Sequence, residues 1–235
     1  MRIEKIGSIY QLSFMPRFFP VNCYIVEEET SLTLVDAALP YSVKGIMSMM
    51  KKLEKPIEHI VLTHAHKDHI GAVDRLKSFL PDVPVLISSR DARLLDGNVT
   101  IDPGEAQSPI KGGIPKKMKT RPDVLFEEGD QIGSLVAIFT PGHTPGSMSF
   151  LDMRNKSIIA GDAFQTRGGI AVSGTVKALF PFPALATWDK QTAIDSAKKL
   201  RTFNPSLLAV GHGNMLEQPA SAIERAIREA EGGRT

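Results

Sequence analysis

The sequence predicts a mixed α/β fold in which two β-sheets pack face to face with helices on the outside. Three observations carry that expectation. Short runs of Ile, Val and Leu, of strand length, alternate with stretches whose apolar residues recur at helical spacing. The order sheet-then-helix occurs twice with no linker between, which suggests two sheets within one domain spanning residues 1–235. The 235 residues are 42% hydrophobic and 23% charged, ordinary values for a chain that buries a large core.

The first third reads as a β-meander. Gly7 to Phe14 alternates, Val21 to Val26 forms a second strand, and Leu32-Thr33-Leu34-Val35 a third, closed by Asp36. The tract Phe14 to Pro20 joins the first two strands, with Phe18 and Phe19 near its tip. They read either as core residues or as a pocket wall. Tyr41 to Leu53 is helical, with Val43, Ile46, Met50 and Leu53 on one face and Pro56 as the stop. The strand Ile57 to Leu62 follows. Beyond it Ile70, Val73, Leu76 and Leu80 predict one helix ended by Pro81, then a short strand Val83 to Ile87 and a helical turn Asp91 to Leu95.

Periodicity is lost from Asp96 to Pro122, a long loop rich in Gly and Pro that carries Lys111, Lys116, Lys117, Lys119 and Arg121. Its simplest reading is a solvated face, with recognition of an anionic substrate as the alternative. The second half begins with strands at Val124–Phe126, Gln131–Ile132, Leu135–Thr140, Ser147–Leu151 and Ser157–Ala160. It ends with a helix over Trp188–Phe203, a strand Leu207–Val210, and a helix marked by Ala220, Ile223, Ile227 and Ala230.

Composition excludes several classes of function. A net charge of +2 gives no electrostatic case for binding nucleic acid or a membrane surface. A single cysteine, Cys23, allows no internal disulfide and reads as a core residue. The N-terminus lacks the layout of a signal peptide, and no apolar run is long enough to span a bilayer, so a cytoplasmic location is expected.

The chemistry is concentrated in His64-Ala65-His66-Lys67-Asp68-His69, directly after the apolar run Ile60-Val61-Leu62. Three of the chain's six histidines fall in these six residues. Imidazole nitrogen and carboxylate oxygen suit zinc and its neighbours in the first transition row. His64 and His66 alternate, so an extended backbone points them the same way. Three further candidates stand at strand ends beside glycine. His143 lies in Pro141-Gly142-His143-Thr144-Pro145-Gly146, Asp162 follows Gly161, and His212 lies between Gly211 and Gly213.

With its H-x-H-x-D-H motif at His64–His69, followed in order by His143, Asp162 and His212, the chain resembles the metallo-β-lactamase-fold superfamily over almost its whole length. The resemblance implies an αββα sandwich with two divalent metal ions in a cleft at the sheet edges, zinc foremost, with iron, manganese or cobalt accepted by the same ligands. It implies that His64, His66 and His143 hold the first metal, that Asp68, His69 and His212 hold the second, and that Asp162 bridges them. Asp36 matches a family aspartate that orients a ligand, whereas His59 matches no motif position and is expected to be structural or superficial.

Two ions roughly 3.5–4 Å apart can share a hydroxide near neutral pH, with Asp68 orienting the nucleophile or accepting its proton. Departures within the superfamily narrow the substrate. Asp162 argues against antibiotic hydrolysis, His66 against the flavodiiron branch, and the modest charge against RNA processing. The expected activity is hydrolysis of a small ester-like bond, favouring a lactone such as an N-acyl homoserine lactone, as in quorum-quenching lactonases. Phe164, Phe180 and Phe182, with Phe18 and Phe19, would line the acyl pocket; alternatively the segment packs on the sandwich or at a homodimer interface. The alternatives are a thioesterase of glyoxalase II type, a phosphodiesterase, or a mononuclear iron persulfide dioxygenase. The tyrosine that lactonases often place near the bridging aspartate has no counterpart, since Tyr10, Tyr24 and Tyr41 all lie early in the chain.

Overall fold

Most strands of this chain are buried on both faces, their alternate residues serving two different layers, and that division builds the fold. The computed structural model describes residues 1–116 and 118–232; Lys117, counted above in the basic cluster, and residues 233–235 lie outside the described residues. A seven-stranded sheet is formed, in spatial order, by β1 (Arg2–Ile6), β2 (Ile9–Phe14), β3 (Val21–Glu27), β4 (Leu32–Val35), β5 (Ile57–Val61), β6 (Val85–Ser88) and β7 (Val124–Phe126). The first four strands are an antiparallel meander, and β4 to β7 run parallel. The crossovers carry α1 (Val43–Leu53), α2 (Lys67–Ile70), α3 (Val73–Phe79) and α4 (Ser89–Leu95).

The second sheet contains β8 (Gln131–Ile132), β9 (Leu135–Phe139), β10 (Met148–Asp152) and β11 (Ser157–Ile159). A separate small hairpin, β12 (Phe164–Gln165) with β13 (Ala171–Val172), follows, and α5 (Phe182–Ala186) and α6 (Lys190–Thr202) lead to β14 (Leu207–Ala209), β15 (Leu216–Glu217) and α7 (Ala220–Ala230). Across the sheet the order is β15-β14-β11-β10-β9-β8, with β11 and β14 parallel and the other pairs antiparallel.

Alternate residues on each strand face alternate layers. Leu34, Ile60 and Ile87 pack outward against Val43, Ile46 and Met49 of α1 and Val73 and Leu76 of α3. Their neighbours Val35, Val61 and Leu86 turn inward to meet Phe150, Ile159 and Leu207 of the other sheet. On the far side Ile158 and Leu208 meet Ile194 and Leu200 of α6 and Ile223 and Ile227 of α7. Three apolar layers between four structural ones make the αββα sandwich. Among the described residues no helix is long and apolar enough to cross a membrane.

Several elements differ from the sequence expectation. β1 was not foreseen; at the sheet edge its even-numbered charged residues Arg2 and Glu4 alternate with Ile3 and Lys5 in a half-exposed pattern that carries little apolar signal. β7 belongs to the first sheet, beside β6, and not with the strands of the second half. The single helix expected from Ile70 to Leu80 is two, because Gly71 passes close to the chain at Ala38, whose carbonyl accepts from the Gly71 amide at 2.8 Å. The segment after Asp162, expected as a loop, contains the β12–β13 hairpin and α5.

Candidate metal centre

Parallel strands place their C-terminal ends at one edge, and the loops leaving those ends supply every candidate ligand. The loop after β5 carries His64 and His66, and α2 adds Asp68 and His69. The loops after β9, β11 and β14 supply His143, Asp162 and His212. Backbone bonds close the two sheets on each other there: Met148 N–H donates to Thr63 O at 2.8 Å, and Asn22 N–H to Gly211 O at 2.9 Å.

The structure brings all seven expected residues together. Ligand atoms of His64, His66 and His143 lie within 4.8 Å of one another, as do those of His64, His69 and Asp162, and those of Asp68, His69 and His212. Asp162 stands between the groups: Oδ2 is 3.3 Å from His143 Nε2 and 3.2 Å from His212 Nε2, while Oδ1 is 3.4 Å from His69 Nε2. His66 Nδ1 and His143 Nε2 are 2.9 Å apart, and Asp68 Oδ2 is 3.4 Å from His212 Nε2.

Each imidazole turns one nitrogen inward and anchors the other on the protein. His66 Nε2 meets Lys111 O at 2.9 Å, His69 Nδ1 meets Asp36 Oδ2 at 2.7 Å, and His212 Nδ1 meets Pro20 O at 2.7 Å. His64 Nδ1 lies 3.0 Å from Thr63 Oγ1, and His143 Nδ1 3.1 Å from Ser173 Oγ. Such outer contacts fix ring orientation and tautomer at metal sites. Inside, His64 Nε2, His69 Nε2 and Asp162 Oδ1 are buried without a hydrogen-bond partner among the described residues. Buried polar atoms in that condition are costly unless another group answers them. The donor set therefore fits divalent cations.

Burial pushes the His143 pKa down to about 3 and holds His64 and His66 below the usual imidazole range, with like-charge repulsion from neighbouring rings adding to the effect at His64. Burial acts in the same direction on His69 and His212, but there the carboxylates overcome it. Asp162 and Asp36 raise His69, and Asp162 and Asp68 lift His212 to about 10. For Asp68 and Asp162, burial opposes ionisation, yet the surrounding imidazoles keep both carboxyls below their ordinary range.

Glycine is required where chains approach the cluster. A Cβ on Gly211 would collide with Asp162 Oδ1, and one on Gly112 with the His66 ring. Asp36 sits with φ 61°, a conformation uncommon for a non-glycine residue. From there its carboxylate accepts from Thr63 N–H and Thr63 Oγ1–H, both at 2.8 Å, besides meeting His69. His59, half-buried in β5, stays outside the cluster.

Two groups of supporting residues escaped the sequence reading. Asp91, fully buried, accepts from Ala65 N–H at 2.9 Å, Thr144 Oγ1–H at 2.8 Å and Gly146 N–H at 2.8 Å, so one carboxylate ties the His64–His66 loop to the His143 loop. Burial raises its pKa to about 6 against those donors. Asn22 Nδ2–H donates to Val210 O and Gly213 O at 2.8 Å each, and Tyr24 O–H donates to Val210 O at 2.6 Å, fixing the turn that presents His212. A polar residue at a position expected to be buried, as at Asn22 within β3, was the available signal.

The cluster opens into a cavity of about 870 Å³ whose walls include Phe19, Phe182, Leu185 and Met118. Phe19, Phe180 and Phe182 pack on one another with ring centroids 5.1 to 5.3 Å apart, and Phe19 and Phe180 lie 5.4 and 5.5 Å from the His212 ring. Phe180 is buried behind that wall. The structure does not bring Phe18 or Phe164 to the cavity. Phe18 is 80% exposed at the turn, and Phe164 is buried in the layer beneath α6 and α7.

Residues 16–212 match the model of the metallo-β-lactamase superfamily. The chain belongs to that superfamily. It is 56% identical to YobT of Bacillus subtilis over 99% of this chain and 100% of that one. It is 31% identical to YflN of the same organism, described as a probable metallo-hydrolase, over 82% and 80% of the two chains. The hydroxyacylglutathione hydrolase GloC of Haemophilus influenzae is 26% identical over 83% and 87%. Among solved structures, TTHA1623 in a di-iron-bound form superposes with a TM-score of 0.67 at 25% identity, covering 90% of this chain and 96% of that one. A metallo-hydrolase of this superfamily, with a His/Asp cluster at its sheet edges, is therefore the established frame.

Proposed function

We propose that the chain hydrolyses small acyl esters with the help of two divalent cations, and that its favoured substrate is a lactone carrying an apolar tail, such as an N-acyl homoserine lactone. The observation that supports this most is the set of five imidazoles, each with one nitrogen inward and the other anchored, gathered with Asp162, whose Oδ1 has no hydrogen-bond partner among the described residues. His64, His66 and His143 would hold one cation and Asp68, His69 and His212 the other, with Asp162 shared between them. Zinc, iron, manganese and cobalt all suit these donors. Such cations supply Lewis acidity, making water a better nucleophile near neutral pH and drawing charge from an acyl oxygen.

The chain's own groups do the rest. Asp68 is the one member of the cluster with substantial side-chain exposure, 27%, so its carboxylate reaches both the cavity and the buried rings. It is placed to accept the proton that an attacking water loses. Water adds to the acyl carbon, the C–O bond to the leaving group breaks, and the proton passes to the departing oxygen. Phe19, Phe182 and Leu185 form an apolar wall that excludes bulk water and receives the acyl tail.

A second reading, thioester hydrolysis, is supported by the similarity to GloC, which covers most of both chains. The same attack then releases a thiol. The two readings separate in one experiment on purified protein of known metal content. Long-chain N-acyl homoserine lactone should give acidification that a chelator abolishes, and thiol release from acyl thioesters should be slower. The reverse ranking would favour the thioesterase. Failure of both substrates in metal-loaded protein would overturn the acyl-hydrolase reading.

A further inference from the structure

The long loop from Asp96 to Pro122 does more than cover a solvated face. His66 Nε2 meets Lys111 O at 2.9 Å, and Lys67 N–H donates to Gly113 O at 2.9 Å. These contacts fasten the loop to the H-x-H-x-D-H segment. Pro115 and Met118 are buried on either side, so the backbone carrying Lys116 is anchored at both ends. As a result Lys116 and Lys67 both line the cavity in front of the cluster.

Three carboxylate residues, Asp68, Asp74 and Asp162, line this cavity together with the two lysines. Asp68 and Asp162 belong to the cluster that would hold the cations. Asp74 stays ionised, its carboxylate accepting from the amides of Thr120 and Lys119 at 2.7 and 3.2 Å. Lys77, Lys177 and Lys199, elsewhere on the surface, pair with Asp123, Glu229 and Glu128. Lys67 and Lys116 form no such ion pair among the described residues, and two ammonium groups remain beside a mostly apolar wall. An anion brought there is attracted more strongly than in open water, because the wall limits screening.

We propose that Lys67 and Lys116 form an anion subsite of the substrate cavity, so that the preferred substrate joins an apolar arm to a carboxylate. The proposal rests on the reading of the cavity as an acyl-hydrolase site but revises its favoured substrate. A neutral lactone such as an N-acyl homoserine lactone would leave both ammonium groups unanswered, whereas an ester or lactone that also bears a carboxylate would not.

The test compares two esters that differ by one charge, phenyl hexanoate and the monophenyl ester of adipic acid. The anionic ester should be preferred roughly ten-fold in kcat/KM at low salt, and the preference should shrink as salt rises. In the Lys67→Met, Lys116→Met double variant the ratio between the two esters should fall to about one. Calorimetric binding of adipate and hexanoate gives the same comparison without turnover, each acid having one carboxylate for the cluster and only adipate a second. Tighter binding of adipate, lost in the double variant, supports the subsite even where neither ester is cleaved, and in that case the hydrolase reading alone fails. Equal binding of the two acids to the unaltered protein overturns the subsite.

Discussion

The two ends of the histidine cluster are built from the same residue type and are electrostatically opposite. His64, His66 and His143 sit in burial that holds their rings neutral, with pKa values pressed below the usual range. His69 and His212 are no less buried, yet Asp36, Asp68 and Asp162 raise them, and without a cation they carry protons. The first trio is a ready set of lone pairs; the second stores positive charge that an incoming cation must displace. The lesson is that burial alone does not set an imidazole's state. The carboxylates that share the burial decide it.

Asp162 joins the two ends, and removing it is the strongest way to break the comparison. Asp162→Ala takes away the charge facing His143 and His212 through Oδ2 and His69 through Oδ1. Turnover should fall on the order of 10³-fold, the loss expected when several kcal/mol of charge stabilisation disappear. Steady-state kinetics on the metal-loaded variant, with thermal unfolding as a check on folding, measures it. Activity within a few-fold of the unaltered enzyme would mean that the two ends work independently.

The ends also differ in what holds them. Asp36 braces the second through His69, whereas Asp91 braces the first by gripping Ala65, which lies between His64 and His66, and Gly146 and Thr144, which follow His143. In Asp91→Asn the amide nitrogen cannot accept, so one of the two backbone donors loses its partner. Affinity for the cation at the first trio should drop about 10- to 100-fold while the second site keeps its affinity. Calorimetric titration of the chelated variant with zinc should resolve one weakened and one unaltered step. Equal weakening of both would show that Asp91 supports the fold as a whole.

How far the sequence foretold this follows the reach of its signals. His64 to His69 are contiguous, and strand ends flanked by glycine announced His143, Asp162 and His212, so the members of the cluster were legible before their geometry. The layered fold was legible as well, because a short strand-forming run such as Leu32–Val35, buried on both faces, is written locally. Asp91 was not, since its partners lie 26, 53 and 55 residues away and its own neighbourhood reads only as a helical turn. The same limit explains Phe18 and Phe19: adjacent residues of one type, one exposed and the other stacked on Phe180 and Phe182, which the chain brings back from far along the sequence. Nor did the loop composition distinguish Lys116, which lines the cavity, from Lys111 and Lys119, which stand exposed without lining it.

The remaining effect is the one most specific to the contrast between the two ends, and it is read in the metal-free protein. His212 titrates at about 10 when folded and near the ordinary imidazole value when unfolded. The native state therefore binds its proton more tightly, and its contribution is complete below about pH 6.5 and lost as pH rises towards 10. His143 has the opposite sign. Its folded value of about 3 means that the unfolded chain takes up the proton first, so stability is complete above about pH 6.5 and lost as pH falls towards 3. The two windows meet near pH 6.5, where the chelated protein should have a stability maximum, falling on the alkaline side because of the second end and on the acid side because of the first. For a chain of this length each kcal/mol lost lowers Tm by about 2–4 °C. Thermal unfolding in chelator from pH 5 to 9 measures both limbs. His212→Gln should make the alkaline limb shallower, His69 keeping its share, and leave the acid one; an unchanged alkaline limb would show that the carboxylates do not hold His212 in its charged state.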